Sequence, residues 1–122
     1  MSDDDYHLRH EVVQSNFSSE DDRLYEESMA YLEREVAAGH SWERIVKELR
    51  VADVELKGII LDDFVKIILA KRHFQGGETL QAVANATRIP GKVLESARRS
   101  MLKEVEEAAI KAHHLVQERK PH

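Results

Sequence analysis

The sequence predicts an all-α fold, on three observations. The chain of 122 residues is 42% hydrophobic and 34% charged, the balance of helices with one apolar face and one wet face. Its 5 Gly, 2 Pro and 6% aromatic residues leave long stretches with nothing to break a helix. Beyond residue 18 the apolar residues recur at three- and four-residue intervals, the helical period. The expected architecture is about five helices, with two tandem helix-turn-helix-like hairpins and a long C-terminal helix.

Length and charge suggest one domain with an arm. The net charge of −5 divides unevenly: residues 1–38 hold 11 acids against 3 bases, or −8, and residues 39–122 hold 12 against 15, or +3. Residues 1–18 therefore read as an acidic mobile arm, with one helical turn near Leu8 to Val13, and 19–122 as a single helical domain with hairpin units at about 39–74 and 77–119. The arm is a solubilising tail, or it lies across a basic helix and competes with phosphate. With no Cys there are no disulfides, thiolate zinc sites or Cys nucleophiles, which suits a reducing compartment. The sequence contains no apolar run of about 18 residues and no basic-then-apolar leader. No membrane partner is expected, and the cytoplasm is the expected location.

The first helix is expected from an N-cap at Ser19 to about Ala38, with Tyr25, Met29, Leu32 and Val36 on one face and Gly39 ending it. Two similar segments follow. Laid over one another at a constant offset of 38 residues, Gly39 meets Gly77, Ser41 meets Thr79, Trp42 meets Leu80, Ile45 meets Val83, Arg50 meets Arg88 and Leu56 meets Leu94, with no gap. They read as two copies of one unit or as two similar hairpins: a short helix, a tight corner and a longer helix. In the first, Trp42, Ile45, Val46 and Leu49 form the short apolar face. Asp53 caps the long helix, and Leu56, Ile59, Ile60, Phe64, Ile67 and Ile68 make it the central core helix. Gly76-Gly77 ends it. In the second, Pro90 suits a first helical turn, and nothing breaks the helix after it before Pro121.

That last helix is too long for so small a body. Leu94, Met101, Ala108 and Leu115 recur every seven residues, with Val105 and Ala112 on the alternate seam. Met101, Val105, Ala108, Ala112 and Leu115 are the candidate oligomer interface of a homodimer. The competing expectation folds the same surface back onto the Tyr25 to Val36 face.

The stretch "TLQAVANATRIPGKVLESARR", residues 79–99, carries the functional signal. Val83 and Ala84 occupy the inner face of its short helix, Ile89 and Pro90 the corner, and Leu94 and Ala97 the inner face of the next. On these residues it resembles the helix-turn-helix superfamily, including the form in sigma-factor-like and response-regulator output domains. It departs at Arg88, where many members carry glycine, and at Thr87, where an apolar residue is usual. The resemblance implies that the helix from Pro90 is a recognition helix. Lys92, Ser96, Arg98, Arg99 and Lys103 are then the candidate nucleic-acid contacts, arginine suiting guanine edges and lysine phosphates. A dimer would offer two such helices to two half-sites.

Other constellations point to core rather than chemistry. Seven histidines are scattered or adjacent, without the three or four converging ligands of a metal site. Asp62-Asp63 reads as the wet edge of the central helix, and Trp42 as core more than a partner anchor. No phosphate loop, HExxH or Ser/His/Asp signature occurs, so neither enzymatic activity nor a cofactor is expected. The sequence thus predicts a small, transcription-regulatory, DNA-binding protein. The alternative is a protein-interaction module acting through its helical faces on a protein partner.

Overall fold

The computed structural model describes residues 18–119, with side-chain environments given through residue 116. Among the described residues are five α-helices and no strand: α1 (Ser19–Ala37), α2 (Trp42–Glu48), α3 (Val54–Ile68), α4 (Leu80–Thr87) and α5 (Gly91–Arg119). The all-α class and the long C-terminal helix stand as expected. The expected acidic arm, with its turn at Leu8 to Val13, lies outside the described residues except for Ser18.

Local chemistry sets each start. Ser18, not Ser19, caps α1. Its hydroxyl accepts from the Asp21 amide at 3.1 Å while Asp21 Oδ2 accepts from the Ser18 amide at 3.3 Å, a reciprocal box that satisfies two amides with no partner inside the helix. The shift is one residue because both Ser18 and Ser19 have an Asp three positions on, so the sequence pattern alone does not separate them. Ser41 caps α2, Asp53 caps α3 through two amides, and Thr79 caps α4.

The central rod does not stop at Ile68. It runs on as a π-helical segment, Leu69–Gln75, whose wider turn shifts every side chain after it around the axis. Gly76 follows where a Cβ would stand 2.7 Å from the Arg72 carbonyl oxygen, and Gly77 adopts a left-handed φ of 73°. Neither position accepts another residue without strain.

The core is built from one fully buried side chain per element: Leu32 of α1, Ile45 of α2, Ile60 of α3, Leu69 of the π segment, Val83 of α4, Ile89 in the corner and Leu94 of α5. Trp42 belongs to it, stacked on Phe64 with centroids 6.0 Å apart and planes at 11°, which settles its role as core. α3 is the central helix, touching α1 on one side and α5 on the other. Ile67 is 41% exposed, whereas Val65 and Leu69 are buried.

The two hairpins share their entry and differ at their corner. Gly39 and Gly77 both take left-handed φ values, 81° and 73°, and are followed by matching caps and short helices. The first corner, Leu49–Asp53, is extended at Leu49, whereas the second, Arg88–Pro90, turns through a left-handed Arg88. Beyond the corners the aligned pairs Val51 and Ile89, and Leu56 and Leu94, are all buried, so the two units differ in the backbone of the corner and share the apolar positions on either side of it.

Asp62 is exposed and paired with Lys66 at 3.1 Å, while half-buried Asp63 accepts the Tyr25 hydroxyl at 2.8 Å. Burial, and secondarily the bond to Asp63, pushes the Tyr25 phenol up to about 12. An unfolded tyrosine ionises near pH 10, so the folded state holds this proton more tightly. Its contribution to stability is complete below about pH 10 and is lost as pH rises toward 12. Urea unfolding at a series of alkaline pH values should show that decline, and Tyr25→Phe should flatten it.

Candidate nucleic-acid interface

The corner between α4 and α5 is fixed by two residues that depart from the usual helix-turn-helix pattern. Thr87 is 3% exposed. Its hydroxyl donates to the Val83 carbonyl at 2.7 Å and accepts from the Ile89 amide at 3.2 Å. One side chain thus closes the end of α4 and satisfies the first buried amide beyond it, which an apolar residue cannot do. Arg88 then takes φ 63°, ψ 11°, the region where glycine is the ordinary occupant. It is the only non-glycine residue with positive φ among the described residues. Arg88 thus takes the conformation for which glycine is used at such corners, with its cationic side chain exposed.

Beyond the bend, Pro90 precedes α5 rather than opening it, and its carbonyl accepts from the Val93 and Leu94 amides. Leu94 and Ala97 are buried, which seats α5 across α3 and α4. At 3.6 residues per turn, Lys92, Ser96, Arg99 and Lys103 fall at i, i+4, i+7 and i+11 on the opposite side, and all four are exposed. Among the described residues no carboxylate lies within ion-pair distance of Lys92, Arg99 or Lys103. Lys92 and Ser96 also form the lip of a groove of about 450 Å³ floored by Trp42, Val46, Leu61 and Val65.

Arg98 is not in this stripe. It is half-buried and turned the other way, its Nε donating to His73 Nε2 at 3.0 Å. His73 Nδ1 lies 2.7 Å from the Glu78 carbonyl oxygen, so the ring carries its proton on Nδ1 and accepts from Arg98 on Nε2. The reason is rotational: Arg98 sits one step from Ala97 and Arg99, and that step carries it from the outer to the inner side. Of the five expected contacts the structure thus brings four together, adds Arg88 at the corner, and assigns Arg98 to packing. The sequence gives no sign of the His73 bond, because the π segment changes which way His73 points.

Further along, Lys66 joins α3 to α5 through Glu104 Oε1 at 2.8 Å. The bond to Glu104 is the largest influence raising the Lys66 ammonium, and the same bond lowers the Glu104 carboxyl. Among the described residues this is the last tie between α5 and the body. Met101 is half-buried at the edge, and every residue from Leu102 to Val116 is exposed, including Val105, Ala108, Ala112 and Leu115. The segment does not fold back onto α1, where Leu32 is buried in the core and Met29 and Val36 line a groove of about 560 Å³ together with Phe64, Ile67 and Ile68. Leu102 and Val116 are also exposed, at 42% and 59%, so the apolar surface is wider than a strict seven-residue count implies. No helix among the described residues is long and apolar enough to cross a membrane.

Comparison with protein families, with curated proteins and with solved structures finds no match.

A left-handed arginine costs about 1 kcal/mol, partly offset in glycine by its greater entropy loss on folding. Arg88→Gly is expected to raise unfolding stability by a few tenths to about 1 kcal/mol, and Arg88→Val to lower it by more than about 1 kcal/mol. Chemical denaturation of the two variants checks both signs.

Proposed function

We propose that the chain is a small DNA-binding protein, of transcription-regulatory type, that uses α4 and α5 as a helix-turn-helix-like unit with α5 as the recognition helix. One observation carries it: the left-handed corner at Arg88 holds α5 crosswise with Lys92, Ser96, Arg99 and Lys103 in one exposed stripe, unpaired by acids among the described residues. A helix presented in this way fits the major groove, with its cations at phosphates or guanine edges. Arg88 extends the stripe at the corner. Four cations would neutralise about four phosphates, enough for weak, salt-sensitive binding and no more.

The exposed apolar side of α5 favours a second function, a protein-interaction module. The two differ in response to salt, since hydrophobic docking changes little over a range that strips a cationic helix from DNA.

In a mobility-shift titration on mixed duplex fragments, affinity is expected to fall roughly a hundredfold between 50 and 200 mM salt. Arg99→Ala with Lys103→Ala should weaken binding and flatten the salt dependence, by about two in the log–log slope. Arg98→Ala should leave that slope unchanged, because its guanidinium faces His73. No shift at low salt, or an Arg98 variant as damaged as the stripe variant, would remove α5 as the DNA contact.

A further inference from the structure

From Leu102 to Val116 no side chain of α5 is buried or half-buried, yet the segment is not polar. Val105, Ala108, Ala109, Ala112, Leu115 and Val116 fall within roughly 120° of the helix circumference. Val105 is 67% exposed and Leu115 54%. An apolar side this wide on a helix that has left its body is an unfilled half of a packing interface.

Two observations identify the occupant. The apolar side is the continuation of the side that buries Leu94 and Ala97, so the body hangs from the same side at the N-terminal end of α5. A second copy running parallel would have to place its body where the first already lies. A second copy running antiparallel brings only its C-terminal end to that level, just beyond the Glu104–Lys66 bond. Four of these six side chains also read the same in both directions. Val105, Ala109, Ala112 and Val116 run large, small, small, large about a point between Ile110 and Lys111. Turned about that point, Val105 meets Val116 of the second copy and Ala109 meets Ala112. Alanines at the centre let the two axes approach to the short end of the helix-packing range. On the flank, Glu106 falls beside His113 of the second copy, while Glu107 and Lys111 are spaced to pair within each helix.

We infer that the free side of α5 is the interface of an antiparallel homodimer, with Ala109 and Ala112 of each copy seated on Ala112 and Ala109 of the other. The pairing does not depend on DNA binding. The Lys92 to Lys103 stripe lies roughly 160° around α5 from the apolar side, so it stays uncovered in the dimer. In such a dimer the two stripes face away from one another. The seam from Val105 to Val116 is only about 17 Å long, small beside interfaces of roughly 800 Å² per partner, so association belongs in the micromolar range.

Sedimentation velocity of the full chain from about 10 to 500 µM is expected to show reversible monomer–dimer exchange. A109E with A112E should abolish the dimer without changing helicity by circular dichroism, since both sites are exposed in the monomer. The chain has no cysteine of its own, so orientation can be read directly. Mixing A109C with A112C chains under mild oxidation should give the mixed cross-link several-fold over either like-with-like product, because a disulfide needs Cα atoms about 4.4–6.8 Å apart. A monomer at every concentration overturns the dimer. Like-with-like cross-links in excess overturn its antiparallel sense. A dimer that appears only after removal of residues 1–17 shows that the chain's own N-terminal segment is the occupant, and overturns the assignment equally.

Discussion

The structure depends on one buried hydroxyl. Thr87 Oγ1 stands between the Val83 carbonyl and the Ile89 amide, and with both bonds made the chain leaves α4 through a left-handed Arg88 rather than continuing as helix. Without that pair of bonds the Ile89 amide would be an unsatisfied donor in the core, at a cost of about 1–3 kcal/mol. The position of α5 follows from this corner. Ile89 and Leu94 enter the core only because the backbone has turned, and the rest of α5 is aimed by where they land.

From that aim come the two unlike surfaces of α5. Where the helix crosses the body its inner side is apolar and buried and its outer side carries exposed cations. Past Glu104 the body ends, the inner side stays apolar, and nothing in the described chain covers it. Length alone forces this. A helix of 29 residues is about 44 Å long, longer than the hairpins it rests on. The Lys66–Glu104 bond marks the boundary between the part of α5 held by the rest of the described chain and the part that no described residue holds. The DNA-binding proposal concerns the first part and the homodimer proposal the second. They occupy opposite sides of the same rod, so one does not exclude the other.

Much of the fold was legible because caps and periodicity are local. Asp53, Ser41 and Thr79 announce their helices by residue type, and Leu32, Ile45, Ile60 and Leu94 announce the core by spacing. The features that escaped are those in which distant parts of the chain decide a side chain's direction. Arg98 leaves the stripe by helical spacing alone, one step round from Arg99; what spacing does not show is its partner, His73, which the π segment turns toward it. Arg50 and Arg88 occupy matching positions in the two hairpins, yet only Arg88 is left-handed, while the first corner leaves its short helix through an extended Leu49. The stripe itself was legible at four of its five expected members, since Lys92, Ser96, Arg99 and Lys103 keep helical spacing whatever lies beneath them.

Hydrogen exchange at the Ile89 amide, compared between the parent chain and Thr87→Val, tests the corner most directly. The amide is expected to be strongly protected in the parent and to lose that protection in the variant while amides in α3 keep theirs, since its only acceptor is the threonine hydroxyl. Protection that survives Thr87→Val would mean that Ile89 donates to a helical carbonyl and that α4 and α5 form one continuous rod, and the placement of α5 argued here would fall with it.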